Sequence, residues 1–339
     1  MVKIAINGFG RIGRLFLRQI MDKKGIEIVA VNDLGNAENL AYLLKYDTVY
    51  GRFEKKVETK DGNLVVGGKP VKFLQIKDPT RLPWRKLKID IVVEATGFFE
   101  SYEKAKAHLE AGAKRVVITA PAKDPDGAEG KTVLMGVNEG ELKTSVLTSN
   151  GSCTTNAVSP VIQIMSENPG IAKAILNTVH GYTATQVLVD GPVIKGGDFR
   201  RGRAAAQNIV PSTTGAATAV TRAIKSLEGK FDGTALRVPT VTGSVADVTF
   251  LAKRKTSVKE INDIFKKAAA SSRWRGILNV SDDPIVSSDI IGEPYGAIVD
   301  LSFTKVIDGD LVKVLSWYDN EAGYVATLVK HVLGVAVLL

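Results

Sequence analysis

Val2-Lys3-Ile4-Ala5-Ile6-Asn7-Gly8-Phe9-Gly10-Arg11-Ile12-Gly13-Arg14 opens the chain and decides its fold class. Val2 to Asn7 reads as a strand. Arg11 to Met21 carries apolar residues at Ile12, Leu15, Phe16, Leu17 and Ile20, the stripe of a helix. Between them stand Gly8, Gly10 and Gly13 in a G-x-G-x-x-G pattern. Alone the pattern is weak; a strand before it and a helix after it are the context it requires. Glycines there permit a tight turn and let the backbone approach a pyrophosphate, and the helix N-terminus offers N–H donors to the phosphates. The next strand, Ile26 to Val31, ends at Asn32-Asp33, and Asp33 stands 20 residues past Gly13. That is the place of an acid that binds the adenosine ribose hydroxyls. A carboxylate there repels a 2′-phosphate, so NAD is expected over NADP. The alternative is a glycine-rich turn that binds nothing, and it leaves strand, glycines, helix and acid in register by chance.

Outward from this stretch, the first 150 residues alternate short apolar runs with helical patterns, as a parallel α/β sheet requires. Ile89 to Ala95, Arg115 to Thr119 and Val146 to Ser149 are the later strands, Tyr102 to Ala111 a helix with His108 on a charged surface, and Asp61-Gly62 and Gly67-Gly68 flank a small meander. The second half is richer in long β-like runs, at Ala172 to Val179, Leu236 to Phe250 and Ala297 to Phe303. One helix begins near Thr214; another begins at Ser257, where Ser257 and Glu260 have the spacing of a capping box. The expectation is a Rossmann-type doubly wound α/β nucleotide-binding domain, residues 1–152 and 319–339, and an α+β domain with a mostly antiparallel sheet, residues 153–318. Thr183 to Arg203 is a long irregular stretch rich in Gly and charge, and loops of that length are usually functional.

With 339 residues the chain exceeds what one core usually serves. Apolar residues make up 45% and charged residues 24%, ordinary for a soluble globular protein. A single cysteine excludes an intrachain disulfide and fits a reducing, cytoplasmic setting. No secretory signal is visible at the start. The apolar end, Tyr324 to Leu339, is shorter than the roughly 20 residues a bilayer needs and is interrupted by Lys330 and His331, so it reads as a buried terminal helix. The net charge of +9 comes without a block of like charges. It describes a solvated basic surface that draws anionic substrates rather than a nucleic-acid binder.

Asn150-Gly151-Ser152-Cys153-Thr154-Thr155-Asn156 precedes an apolar helix, roughly Ala157 to Met165. Ser, Thr and Asn favour helix starts, which puts Cys153 at or just before a helix N-terminus, where dipole and free N–H groups favour the reactive thiolate. The competing reading is a buried cysteine acting as a small hydrophobe; its small polar neighbours argue against that. Of the three histidines, His180 ends an apolar strand at the mouth of the long loop and is placed like a catalytic base, while His331 lies in the terminal helix. One Cys and three scattered His give no metal-ligand cluster, and no metal is expected.

At this point Ile6 to Arg14, Ser149 to Asn156, Thr178 to Gln186, Arg203 to Ala217, Arg237-Val238-Pro239-Thr240 and Ser316 to Tyr324 together resemble the glyceraldehyde-3-phosphate dehydrogenase family, over essentially the full length and in the family's order. The resemblance implies NAD- and phosphate-dependent oxidation of glyceraldehyde 3-phosphate to an acyl phosphate. Cys153 would form a hemithioacetal and then a thioester, and His180 would take the proton. Thr183 and Arg237, with Thr185 nearby, match the site for the substrate's phosphate. Ser152, Thr154, Thr214 and Gly215 match the site for the attacking phosphate. Asn320 matches the residue that orients the nicotinamide amide. Asn7, Gly8, Gly10, Arg11, Ile12, Gly13, Thr96 and Thr119 match cofactor positions, and Leu34 and Pro192 the NAD-preferring pattern. The resemblance also implies a homotetramer.

Departures from the family pattern are Gly151 for a common Ala, expected to loosen the turn before the nucleophile, Ala157 for a frequent second Cys, Ala322 for Trp, and an insertion at Gly196-Gly197. None removes a catalytic group. Three other readings stay open: erythrose-4-phosphate dehydrogenase, a basic nucleic-acid-binding protein on the same fold, and a non-phosphorylating aldehyde dehydrogenase.

Overall fold

The computed structural model describes residues 1–193 and 196–339; Ile194 and Lys195, inside the long stretch 183–203, lie outside the described residues. The chain divides into two compact units, Met1–Gly151 with Leu328–Leu339, and Ser152–Thr327.

The first unit is built on a nine-stranded sheet. Its spatial order is Lys131–Thr132, Leu147–Ser149, Arg115–Ile118, Ile91–Glu94, Val2–Asn7, Ile26–Asn32 and Lys69–Leu74, all parallel, then Asn63–Val66 and Val57–Lys60 as an antiparallel meander. Val2–Asn7 is fifth in that order, between Ile91–Glu94 and Ile26–Asn32, the switch point at which doubly wound sheets bind their ligands. The central strands are apolar because helices and loops cover both faces. Ile91, Val92 and Val93 are fully buried, and one face packs Trp84, Tyr102, Val116 and Leu147 into a continuous core.

Two expectations change here. The predicted helix at 102–111 is two short turns, Tyr102–Ala105 and Ala107–Glu110. His108 is not on a charged surface but fully buried, because the break at Lys106 turns it into the core, where Trp84 Nε1 donates to its Nδ1.

The second unit holds a seven-stranded sheet in the order Val210–Thr213, Phe231–Val238, Ile171–Gly181, Ser244–Ala252, Leu311–Tyr318, Ala297–Ile307, Leu278–Ser281. Pairing is antiparallel except where Ile171–Gly181 meets Phe231–Val238 and where Leu278–Ser281 meets Ala297–Ile307. The predicted run Leu236 to Phe250 is thus two strands with a turn between them. Helices Cys153–Glu167 and Val258–Ala270 pack against this sheet. Ser257 caps the latter by accepting from Glu260 N, but the box does not close: the Glu260 carboxylate is drawn away to Arg254 and Thr256. The terminal helix is Ala322–Ala336, and no helix among the described residues is long and apolar enough to cross a membrane.

Candidate active site

The glycine turn joins strand Val2–Asn7 to helix Arg11–Ile20. Gly8 has φ +94°, and a Cβ there would lie 2.6 Å from the backbone of Ala95 and Thr96, so any side chain would push two loops apart. The helix N-cap is Gly10, with no side chain closing the first turn, so its N–H groups stay available to an anion. A cleft of about 410 Å³ opens here, lined by Gly8, Gly10, Asp33, Leu34, Thr96 and Phe98 among others. Asp33 accepts from Phe9 N at 2.7 Å and from Gly35 N at 2.8 Å, which fixes its carboxylate at the lip of the cleft. Turn, open helix start and acid fit a dinucleotide with free ribose hydroxyls.

The other expected cofactor residues divide by role. The Arg11 side chain is turned to Asp47 at 2.5 Å. Ile12 and Gly13 follow in the first turn. Asn7 lines the cleft but its side chain is spent: Nδ2 donates to Glu94 Oε2 at 2.6 Å and Oδ1 accepts from Asn32 Nδ2 at 2.7 Å. Thr119 donates to Glu94 O at 3.0 Å.

Glu94 was missed in the sequence. Its Oε1 accepts from Thr96 N and Thr96 Oγ1, and its Oε2 from Asn7 Nδ2 and from His108 Nε2 at 3.0 Å. Trp84 is a donor only, so its bond to His108 Nδ1 leaves the ring proton on Nε2, facing Glu94. The buried carboxylate therefore has every lone pair answered, as burial requires.

In the second unit Cys153 is the first residue of helix Cys153–Glu167. Ser152 caps it with a closed capping box: its Oγ accepts from Thr155 N at 3.1 Å, and Thr155 Oγ1 accepts from Ser152 N at 3.1 Å. The preceding Gly151 has φ +65°, a conformation glycine adopts freely and alanine does not. The glycine thus relieves strain in the turn rather than loosening it. Cys153 Sγ lies 3.3 Å from His180 Nε2. His180 comes from strand Ile171–Gly181, and its register partner on the adjacent parallel strand is Arg237. Arg237 Nη1 lies 2.5 Å from His180 Nδ1 and 3.2 Å from Gly181 O, and the same Nδ1 lies 2.6 Å from Gly181 O.

Burial pushes the part-exposed Cys153 thiol up, opposed by the Arg237 charge and the N–H of Thr154. Burial and then Arg237 push His180 down to about 3. At neutral pH the imidazole is therefore uncharged and suited to act as a base.

Tyr318, also missed, joins this site from below. Its hydroxyl lies 2.8 Å from both Thr154 Oγ1 and Thr178 Oγ1, and its ring meets His180 edge-on at 5.8 Å. Burial raises its pKa well above the usual phenol value. It acts as a fixed strut under the first helical turn.

Thr183 and Thr185 share a hydrogen bond at 3.0 Å. Arg201, the third missed residue, reaches from the long loop to Thr185 Oγ1 at 3.3 Å and to Ser212 Oγ at 2.9 Å. Its charge acts on Arg237, and two arginines beside threonine hydroxyls suit an anion. Thr214 and Gly215 sit at the start of helix Ala216–Ala223, with Thr214 Oγ1 accepting from Ala216 N. Asn320 is buried, and its Oδ1 accepts from Thr242 Oγ1, Gly243 N and Ser244 Oγ at 3.0–3.1 Å. That leaves its NH₂ as the end able to donate. Ala322 N donates to Asp319 and starts the last helix.

Comparison with known proteins agrees with this geometry. Residues 2–102 match the model of the glyceraldehyde 3-phosphate dehydrogenase NAD binding domain, and residues 152–320 that of the C-terminal domain of the same enzyme. The chain is 48% identical over 334 residues to a glyceraldehyde-3-phosphate dehydrogenase of Clostridium pasteurianum, with 97% of each chain covered. It is 46% identical over 336 residues to glyceraldehyde-3-phosphate dehydrogenase 2 of Bacillus subtilis, covering 98% of this chain and 96% of that one. With glyceraldehyde-3-phosphate dehydrogenase 1 of Nostoc it shares 47% over 325 residues, 95% and 93% of the two chains. With both domains matched, and near-half identity along almost the whole length, the chain belongs to the glyceraldehyde-3-phosphate dehydrogenase family.

Proposed function

We propose that this protein oxidises glyceraldehyde 3-phosphate to 1,3-bisphosphoglycerate, with NAD as oxidant and inorganic phosphate as acyl acceptor, in the glycolytic interconversion of these sugars' phosphates. The observation that carries the reading is Cys153 Sγ at 3.3 Å from His180 Nε2, on the first turn of a capped helix. Cys153 attacks the aldehyde carbon while His180 takes a proton, and collapse to the thioester keeps the oxidation energy in a bond that phosphate can cleave. NAD, when bound, supplies the hydride acceptor. Gly8, Gly10, Arg11, Ile12, Gly13, Asp33, Thr96 and Thr119 would hold it or support its pocket, Asn7 would act through Glu94, and the Asn320 NH₂ would be the donor for its amide group. Thr183, Thr185 and Arg237, joined by Arg201, take the substrate's phosphate; Ser152, Thr154, Thr214 and Gly215 take the attacking one. Because the Thr154 hydroxyl is engaged by Tyr318, its contribution to that second site falls to its backbone.

The division of labour we propose is a cofactor domain of residues 1–152 and 319–339 and a catalytic domain of residues 153–318. We further propose a homotetramer in the cytoplasm. Ile175, Phe303, Ile307 and Leu311 are exposed on one face of the seven-stranded sheet, beside a shallow hollow of about 760 Å³, and such a face is best covered by another copy. A lone catalytic thiol is best kept in a reducing compartment.

Absorbance of reduced nicotinamide, followed with NAD and glyceraldehyde 3-phosphate, tests the activity. Turnover should need inorganic phosphate and disappear in Cys153→Ser. Phosphate-independent turnover would move the assignment to a non-phosphorylating enzyme, and faster turnover of erythrose 4-phosphate to the related dehydrogenase. Light scattering should give four times 36.3 kDa; a monomer mass contradicts the assembly.

A further inference from the structure

An amide side chain can turn either end to a hydroxyl, but a backbone N–H meets only its oxygen. Gly243 N donates to Asn320 Oδ1 at 3.1 Å, which decides how that amide is set. Gly243 has φ +91°, and a Cβ there would lie 2.5 Å from Ser287 O, so this donor stands on a turn that requires glycine. The two hydroxyls beside it differ. Thr242 Oγ1 lies 3.1 Å from Asn320 Oδ1 and 3.1 Å from Asp319 Oδ1, with one proton for two acceptors. A carboxylate is the stronger acceptor, and this one is fixed by Glu321 N at 2.8 Å, Ala322 N at 2.9 Å and Gly292 N at 2.8 Å. Thr242 therefore serves Asp319 first.

Ser244 has no such choice. It is buried, the first residue of strand Ser244–Ala252. Its Oγ accepts from Gly181 N at 3.2 Å and lies 3.0 Å from Asn320 Oδ1. A proton aimed at the Gly181 N–H would meet a second donor, so the hydroxyl proton goes to Asn320. One buried oxygen thus joins the end of strand Ile171–Gly181, one residue past His180, to the Asn320 amide, all within the second unit. Turning that amide over would set its NH₂ against the Gly243 N–H and break the bond from Ser244. The end left for a ligand is a donor, and a donor reads a carbonyl.

We propose that Ser244 is a positioning residue for the cofactor: its hydroxyl, aimed by the Gly181 N–H, keeps the Asn320 amide from turning over and so keeps a donor presented to the carbonyl of the nicotinamide amide. The proposal rests on the reading of Asn320 as the residue that orients that group. Ser244 acts from behind Asn320 and takes no part in the covalent chemistry. It shares the task with the Gly243 N–H, so losing the hydroxyl weakens the hold on the cofactor without abolishing it.

A double-mutant cycle tests whether Ser244 acts through Asn320. The dissociation constant of NAD is measured by calorimetry on the full-length protein stripped of nucleotide, for the wild type, Ser244→Ala, Asn320→Ala and the double variant. Ser244→Ala should weaken NAD binding roughly tenfold, the share of one buried hydrogen bond, and Asn320→Ala at least as much. In the Asn320→Ala background the serine change should add no more than about twofold. Ser244→Cys, a weak donor of similar size, replaces the alanine variant if that one does not fold. Alkylation of Cys153 by iodoacetamide without cofactor, followed by mass, should run at the wild-type rate in the Ser244 variant. If Asn320→Ala weakens NAD binding but the serine change has the same effect in both backgrounds, or none in either, the proposal is overturned. Slower alkylation in the Ser244 variant overturns it too, because the hydroxyl would then serve the Gly181 end and the catalytic pair beside it. NAD binding unchanged in Asn320→Ala removes the reading of Asn320 beneath the proposal.

Discussion

Cys153 and His180 are 27 residues apart in sequence and 3.3 Å apart in space, and each needs the other for its chemistry. Because burial and Arg237 hold His180 neutral down to about pH 3, loss of activity in mild acid should not follow His180 protonation in the free enzyme. His180→Asn should lower kcat by about 10²–10⁴-fold while the KM for NAD stays within a small factor. A fall confined to KM would show that His180 only shapes the pocket. Asp33 makes a separate prediction. Its carboxylate is fixed by Phe9 N and Gly35 N at the lip of the cleft. In Asp33→Ser the repulsion of a 2′-phosphate goes, so kcat/KM for NADP should rise and that for NAD fall, each by about tenfold, which is 1.4 kcal/mol. Unchanged cofactor preference in steady-state kinetics would place selection elsewhere. Both residues were legible in the sequence because their signals are local: helix-starting residues around Cys153, and a fixed spacing from the glycine turn to Asp33. Arg201 and Tyr318 were not. Arg201 is one of several arginines in an irregular loop, and Tyr318 meets Thr154 across 164 residues.

At the scale of elements, strand ends carry the function. Asn7 and Glu94 are register partners on adjacent parallel strands, and Glu94 ties the Thr96 turn, Asn7 and His108 to one carboxylate. In Glu94→Gln the amide NH₂ must face either the two Thr96 donors or the Asn7 and His108 donors, leaving two donors without an acceptor whichever way it turns. A loss of about 2–4 kcal/mol follows, with a raised KM for NAD and little change in kcat, read from chemical denaturation and kinetics. Wild-type stability in that variant would mean the network is not what holds the lip of the cleft. The glycine turn, the first strand and helix, and the helix after Cys153 could be read from pattern alone, since each is a local rule of period or capping. The network could not. The sequence put His108 on a surface helix because Lys104, Lys106 and Glu110 surround it, whereas the two short turns here rotate it into the core. The Ser257 capping box failed for a related reason: a tertiary partner, Arg254, competes for the Glu260 side chain.

Across the whole molecule, stability should depend on pH through buried histidines. His331 is fully buried, bonded to Thr148 and Asn150, and burial pushes it down to about 4. A depressed histidine binds more protons unfolded than folded, so its stabilisation is complete above its ordinary value of 6.5 and is lost as pH falls toward 4. For His331 that loss is about 3 kcal/mol, with His180 adding in the same direction. Denaturation midpoints between pH 7 and 4 should therefore fall steeply, and His331→Gln should flatten the slope; parallel slopes would exclude His331 as the source. The central claim, that the reaction passes through a thioester on Cys153, is tested most directly by intact-protein mass spectrometry. Protein, NAD and glyceraldehyde 3-phosphate are mixed without inorganic phosphate and quenched in acid. The account predicts one added phosphoglyceryl group per chain, mapped to Cys153, absent in Cys153→Ser and cleared when phosphate is supplied. Reduced nicotinamide formed with no mass added to Cys153 would contradict it.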